Sequence, residues 1–458
     1  MRQVGSTTLS KSSMKIISNQ IPTDESGEYI ECLAATPGKS LKTNFSWTMM
    51  GNTVYVGTQW GILVLLARLG NPEAVGQFSL GLAVTAPVML LASLQLRAVQ
   101  ATDAKLQFHF GDYAGLRIIM TALAALVICI ISGALYRGAT AATIAAFALS
   151  KGIESFSDVF YGQWQQRERM DLIAKSLMLR GGLGLTAVAV SFAIFHTIWG
   201  VVCFMSAAWA VVFVFFDLPH GIGIARQMRQ SIMPRFSAIR MKQLFRISLP
   251  LGIVTMLISF NSNVPRYMIS HFRGERELGI FSALSYILLG GTMIVNALGQ
   301  SATPRLAVYA AQGKAREFSQ LLYRLLLIGV ALGACGLLVA LVAGRQIISL
   351  IYGQEYAQSH ELLPWLMVAA AFGYLSSFSG YGLTAARHFK VQVPLFSIIT
   401  VLTLALCYFL VQMNGSVGAA KALTVASLVQ MTAIIVILLF SKPIRVGNIE
   451  QVETVLIA

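Results

Sequence analysis

The sequence predicts an all-α polytopic membrane protein with about twelve transmembrane helices, on three observations. Hydrophobic residues make up 56% of the 458 positions and charged residues only 12%, where a soluble domain carries about 25% charged residues. The apolar excess falls in repeated uncharged stretches rather than in one core. The net charge of +15 is unevenly divided among the segments that join those stretches. Lipid is the solvent that tolerates so apolar a surface.

A helix needs about 20 apolar residues to cross the hydrocarbon. Residues 43–67 hold the first span, 74–96 the second and 118–136 the third. The run 139–162 begins apolar and then meets Lys151, Glu154 and Asp158. Residues 181–216 are uncharged, too many for one span and few for two, and His196-Thr197 interrupts them. A tight hairpin there, its first helix starting near Ala174 and enclosing Arg180, supplies two spans. Residues 247–265, 278–304, 325–344, 362–386 and 422–441 hold one each. The run 391–420 holds one more and ends at the turn Asn414-Gly415-Ser416.

Charge checks the count. With twelve spans, 26 of the 34 Lys and Arg fall on the side of the two termini. Only Arg137, Arg273, Arg276 and Arg345 fall opposite. Such a bias marks the basic side as cytoplasmic, and dropping the charged fourth span would put later basic loops on the wrong side. The expectation is a multi-pass protein of a bacterial cytoplasmic (inner) membrane with both termini cytoplasmic. The basic residues are spread over short segments, which leaves no basic domain for nucleic acid.

The longest of these segments, from Asp217 to Phe245, carries Arg226, Arg229, Arg235, Arg240 and Lys242 and divides the spans six and six. Two halves of even span number share an orientation, which suggests two lobes with a path between them. The expected organisation is a polar leader (1–45), a first six-helix lobe (46–218), a basic linker (219–246), a second lobe (247–441) and a tail (442–458). The linker serves as a topology signal or lies on the anionic inner leaflet. The leader is Ser/Thr-rich with few large apolar residues and reads as weakly structured. No cleavable signal peptide is evident in it. Cys129, Cys203, Cys335 and Cys407 sit in apolar runs without metal-ligand spacing and read as buried apolar groups.

Ionisable groups at membrane depth are costly and mark pathways or internal pairs. Lys151, Glu154, Asp158 and Tyr161 fall within an arc of about 80° on the fourth span. Lys151 and Glu154 have the spacing of an intrahelical pair. Glu154 and Asp158 then stack as like charges, and one of them needs another cation, water or a proton. The alternative is a structural salt bridge to a neighbouring span. On the seventh span, Asn261, Asn263 and Arg266 flank Pro265, which removes a backbone hydrogen bond and suggests a broken helix lining a cavity. Arg266 could equally snorkel to the headgroups. Arg68 and Lys421, near outer ends, read as snorkelling residues. Arg97 and Arg180, near inner ends, read as lipid-phosphate contacts or topology signals.

The sequence contains no P-loop and no His/Glu pair at zinc spacing. Instead, a series of segments resembles the oligosaccharide flippases (O-antigen and exopolysaccharide branch) of the multidrug/oligosaccharidyl-lipid/polysaccharide exporter superfamily. They are LRAVQATDAK (96–105), FGDYAGLR (110–117), KGIESFSDVFYGQWQQRERMDLIAKSLMLRG (151–181), PLGIVTMLISFNSNVPRYMI (250–269), ELGIFSALSYI (277–287), TPRLAVYAAQGKAREFSQLL (303–322), LIYGQEYAQSHELLPWL (350–366) and GSVGAAKALTVASLVQ (415–430). The order and spacing carry the resemblance, from about residue 45 onward.

The resemblance implies two six-helix lobes around a central cavity with alternating access. It implies a transporter, not an enzyme, that moves a polyprenyl-pyrophosphate-linked oligosaccharide to the outer leaflet. No cofactor is expected, and coupling to a proton or sodium ion stays open. Partners would be the lipid-linked oligosaccharide, membrane lipids, a polysaccharide polymerase and chain-length proteins. Lys151, Arg266, Arg68 and Lys421 are cations available to a pyrophosphate, and Asn261, Asn263 and Tyr161 are partners for sugar hydroxyls. Two alternatives compete. One is a cation-coupled drug or metabolite exporter of the same superfamily, though residues 43–67 lack the carboxylates expected of it. The other is a membrane polymerase or scaffold, though a polymerase would need a large external loop.

Overall fold

The computed structural model describes residues 41–103, 107–195, 197–227, 231–386 and 389–440. The leader up to residue 40 and the tail from 441 lie outside the described residues. Helix α1 (Leu41–Leu69) already begins inside the expected leader. It is followed by α2 (Pro72–Ser93), the short α3 (Leu96–Thr102), α4 (Phe110–Leu135), α5 (Gly138–Gln166), α6 (Met170–Phe195), α7 (Ile198–Val212), a π turn (Phe213–Asp217) and α8 (Leu218–Gln227). The second half holds α9 (Ala238–Tyr286), α10 (Leu289–Ala311), α11 (Ala315–Ile351), the single turn α12 (Gln354–Ala357), α13 (Leu362–Ala385) and α14 (Phe389–Phe440). No strand occurs among the described residues.

Local chemistry sets the boundaries. Asn71 caps α2 by accepting from the Ala74 N–H at 2.9 Å, with Pro72 and Glu73 in the first turn. At α4 the Asp112 carboxylate accepts from the His109 N–H at 3.0 Å. The two longest helices are hairpins. Gly415 (φ +56°) breaks α14, and the Leu410 carbonyl then lies against Gly418. In a straight helix those residues would be about 12 Å apart. Gly274 (φ +84°, ψ −177°) breaks α9, and Arg266 ends within electrostatic reach of Tyr286.

Eight elements are long and apolar enough to cross a membrane by composition. The others follow from polarity and topology. α1 and α5 are too polar to meet that standard, the second arm of α9 continues into α10, and α14 contributes two spans. The described residues thus form a multi-pass bundle of twelve spans. Helix α9 runs unbroken through Pro265, so the break expected there lies instead at Gly274. A helix tolerates the lost bond where a neighbour takes the freed carbonyl. This occurs at Pro87 in α2, where the Tyr267 hydroxyl from α9 donates to the Ala83 carbonyl.

One lobe packs α1 on α6, α4 on α5, and α5 and α6 on α7, and the other packs α9, α11 and α13 with α14 or each other. Helices α2 and α9 form the seam. At the far end, where α1 finishes, further contacts close it. Arg68 Nε donates to the Ile351 carbonyl at 2.9 Å and its Nη2 to the Ser349 and Leu350 carbonyls. Trp60 Nε1 donates to the Tyr352 hydroxyl at 2.9 Å. Arg276 bridges Glu355 at 2.6 Å and Glu73 at 3.6 Å.

The linker is not a free loop. α8 prolongs the sixth span, α9 begins at Ala238, and the Arg235 N–H bonds the Gly111 carbonyl at 2.8 Å. Arg240 lies 3.7 Å from Asp112. Cys129 and Cys335 are exposed on the bundle surface rather than buried.

The seam depends on small residues. A Cβ on Gly279 would collide with the Pro72 carbonyl, whereas one on Gly290 would meet nothing. Gly279→Ala is therefore expected to destabilise by about 1–3 kcal/mol through overpacking. Gly290→Ala should be neutral or slightly stabilising, and thermal unfolding of the two variants in detergent checks the contrast.

Candidate functional site

The polar face of α5 turns into the first lobe. α5 is enclosed by α2, α3, α4, α6 and α7, and the Tyr55 hydroxyl reaches it from α1. The reason is energetic, since each charge facing hydrocarbon costs at least about 2.5–3.5 kcal/mol. Rotating this one face inward removes several such penalties at once.

Two clusters form along the face. In the first, Asp158 lies between two arginines. Arg117 Nη2 from α4 sits 2.9 Å from Oδ2, and Arg97 Nη1 from α3 sits 3.7 Å from Oδ1. Arg97 Nε also donates to Gln165 Oε1 at 3.0 Å, and its guanidinium lies 5.4 Å from the Tyr161 ring centre. Ser155 joins Thr121 at 2.9 Å. The Arg117 side chain is 1% exposed, but Asp158 and Arg97 are 30% and 35% exposed. The trio is thus buried on one side and accessible on the other.

In the second cluster, Lys151 Nζ pairs with Glu154 Oε2 at 2.7 Å and Tyr55 donates to Glu154 Oε1 at 3.4 Å. Deeper in the lobe, Arg180 Nη2 lies 3.3 Å from Asp217 Oδ2, and neither side chain is more than 1% exposed. Ser176 donates to Asp217 Oδ1 at 2.6 Å and contacts the Tyr161 hydroxyl at 2.6 Å. Arg180 also lies over the Tyr161 and Trp209 rings at 5.7 and 5.6 Å, within cation–π range. The π turn supplies Asp217 from what would otherwise be the end of an apolar helix. Such turns re-aim a side chain by one extra residue.

Four cations (Arg97, Arg117, Lys151, Arg180) meet three carboxylates (Glu154, Asp158, Asp217). Arg117 Nε, Arg180 Nε and Trp209 Nε1 are buried donors without an acceptor among the described residues. The cations of the face outnumber its carboxylates by one. Chemically it suits an anionic, oxygen-rich ligand.

The structure brings Lys151, Glu154, Asp158 and Tyr161 together and adds Arg97 and Arg180 to them. Arg97 pairs with Asp158 and Arg180 with Asp217 inside the lobe, so both side chains turn toward the polar face of α5. Asn261, Asn263 and Arg266 stay apart on α9. Arg266 Nη1 donates to Asn263 Oδ1 at 3.0 Å, and Asn263 donates to the Ser259 carbonyl at 2.9 Å. Arg68 does not snorkel but holds the carbonyl end of α11. Lys421 lies 4.9 Å from the Trp365 ring centre. Sequence reasoning missed Arg117 and Asp217 because each adjoins an apolar run at a helix end and was assigned to a loop. Tyr55, Ser155 and Ser176 carry no sequence signal that sets them apart.

The family described as "Polysaccharide biosynthesis protein" matches residues 41–310, and the family described as MatE matches 250–409. The capsular polysaccharide biosynthesis protein CapF of Staphylococcus aureus is 25% identical over 388 residues, 85% of this chain and 96% of that protein. Among solved structures, the lipid II flippase MurJ in an inward closed conformation superposes with a TM-score of 0.67 at 11% identity, covering 85% of this chain and 87% of that one. An inward-facing multidrug resistance MATE transporter of the MOP superfamily gives 0.64 at 14% identity, covering 87% and 97%. Both likenesses concern the fold.

Removing one partner of the fully buried pair should cost about 3–5 kcal/mol, whereas replacing both by apolar groups should restore most of it. Arg180→Met is therefore expected to unfold at lower temperature than the Arg180→Met/Asp217→Leu double variant, as read by thermal denaturation in detergent.

Proposed function

The chain belongs to the polysaccharide biosynthesis protein family of membrane transporters, and from that premise we propose that it is a flippase for a polyprenyl-diphosphate-linked oligosaccharide, moved from the cytoplasmic to the outer leaflet by alternating access. The observation that carries this reading is the convergence of Arg97 and Arg117 on the accessible carboxylate of Asp158. A diphosphate crossing hydrocarbon needs compensating cations and several donors. Asp158 occupies the place such a group would take, so substrate binding exchanges one anion for another without leaving either arginine unpaired. Lys151, two turns away along α5 and part-exposed, extends the polar face for the sugar.

Several features support the direction of transport. The 26-to-4 distribution of basic residues supports cytoplasmic termini. With that orientation, the contacts of Arg68, Trp60 and Arg276 close the outer end, and the polar face of α5 is served from the cytoplasm. The implied inner-membrane location, the polymerase and chain-length partners and any coupling ion belong to the same reading.

The MatE match over 250–409 favours a second reading, a cation-coupled drug or metabolite exporter. Against it, α1 contains no Asp or Glu.

Leaflet accessibility of the lipid-linked oligosaccharide in cells lacking the protein tests the proposal. Build-up on the cytoplasmic side is expected, and unchanged lipid carbohydrate with altered drug tolerance would favour the exporter. Lys151→Ala should lower export about tenfold or more while the protein still reaches the membrane at normal amounts.

The outer closure has its own test. In a background without the native cysteines, Trp60→Cys and Tyr352→Cys joined by a short bis-maleimide should hold the outer end shut and abolish translocation. Either single cysteine treated alike should retain activity.

A further inference from the structure

A groove of about 510 Å³ opens between α2, α4 and the first arm of α9, within the range of small-molecule sites, ~300–1,000 Å³. Its walls include Pro87 and Leu91 on α2, Met120 and Leu123 on α4, and Met256 and Phe260 on α9, and every lining residue is apolar. These positions lie at the end of α2, in the first half of the span carried by α4 and in the middle of the first arm of α9, within the stretches 74–96, 118–136 and 247–265, so the groove lies at membrane depth. No residue of the α5 clusters lines it.

We propose that this groove seats the isoprenoid chain of the lipid-linked substrate while Arg97 and Arg117 hold its diphosphate. The inference rests on the flippase reading above. Three observations support that occupant, and the first of them separates it from bulk lipid.

The first is continuity with charge. On α4, Met120 follows Arg117 by one turn, about 4.5 Å along the axis. On the other wall, the chain leads from Ala92 through the left-handed residues Leu94 and Gln95 directly to Arg97. A tail in the groove therefore has its head beside both arginines. A diphosphate carries more negative charge than the single phosphate of a bulk glycerophospholipid and competes better with Asp158 for the pair.

The second observation is position. Two walls belong to one lobe and the third to the other, so the groove lies on the seam that must rearrange in transport. The Tyr267 hydroxyl, donating to the Ala83 carbonyl that Pro87 leaves free, ties the walls together beside it. An occupant here has different contacts in the two states, which is the requirement for a ligand to shift a conformational equilibrium. The third is adaptability. Met120 and Met256 face the space from opposite lobes, and methionine side chains re-pack around irregular apolar shapes at low cost.

The test uses the full chain in nanodiscs of phosphatidylethanolamine and phosphatidylglycerol, with a benzophenone-tailed polyprenyl diphosphate as probe. Adducts are expected on segments 87–92, 120–127 and 256–260. Unlabelled polyprenyl diphosphate should suppress them at about one-tenth the concentration needed of phosphatidylglycerol. Leu123→Trp, at a side chain half exposed in the groove, should cut labelling about tenfold with an unchanged melting temperature. Leu257→Trp serves as a second filling variant. Adducts suppressed equally by phosphatidylglycerol would mean that the groove holds bulk lipid, which overturns the proposal. Adducts suppressed selectively by polyprenyl diphosphate but mapped elsewhere would overturn the groove and leave the flippase reading standing. Absence of any selectively suppressed adduct, together with normal leaflet distribution in cells lacking the protein, would overturn both.

Discussion

The structure depends on one constraint, that the ionised face of α5 cannot meet hydrocarbon. Lys151, Glu154 and Asp158 exposed to lipid would cost roughly 8–10 kcal/mol together on insertion scales, comparable with the whole stability of a typical domain, ~5–15 kcal/mol. No packing preference of the remaining Ala, Ile and Phe side chains of α5 competes with that. The rotation of α5 is therefore fixed first. Its neighbours then have to supply cations and hydroxyls, Arg97 from α3, Arg117 from α4, Arg180 and Ser176 from α6 and Tyr55 from α1.

Burial separates the two clusters into different kinds of site. Arg180 and Asp217 are sealed from solvent, and the rings of Tyr161 and Trp209 flank the guanidinium. A sealed pair makes little net contribution against an apolar replacement but is costly to half-remove. It fixes how α6 meets the π turn after α7. The Arg97–Asp158–Arg117 group is open on one side. Its carboxylate can lose one partner and gain water, so its pairing is exchangeable where that of Asp217 is not. One helix face thus carries a sealed structural anchor and an accessible carboxylate, which meet at the ring of Tyr161 one turn from Asp158.

Hydropathy and loop charge made the bundle legible, because spans must be apolar for about 20 residues and basic loops resist translocation. The turn Asn414-Gly415-Ser416 was readable as a reversal, and Gly415 does break α14. The reversal at Gly274 was masked by Pro265, the stronger textual sign of a break; in a bundle, neighbours satisfy what proline frees. At the site, the 3-4-3 spacing of polar residues on α5 was visible because a helix displays its own face in sequence. The partners were not, since contacts between Arg117 and Asp158, or Ser176 and Asp217, are set by tertiary packing. Arg97 and Arg180 looked like boundary residues because sequence position locates depth but not the direction in which a long side chain turns.

Closure at the far end uses interactions of a different strength. Arg68 binds carbonyls at the C-terminus of α11, where the helix carries partial negative charge. Hydrogen bonds to a charged group contribute about 1.5–3 kcal/mol when sheltered, and less at this exposed position. The Arg276 bridges to Glu73 and Glu355 are solvent-exposed and correspondingly weak. Moving a two-state equilibrium from almost wholly closed to almost wholly open takes about 5.5 kcal/mol of differential binding. Stripping one partner from a single buried pair like Arg180–Asp217 would by itself take up about 3–5 kcal/mol of that range. A closure made of exposed arginines on carbonyls and carboxylates stays well inside that range.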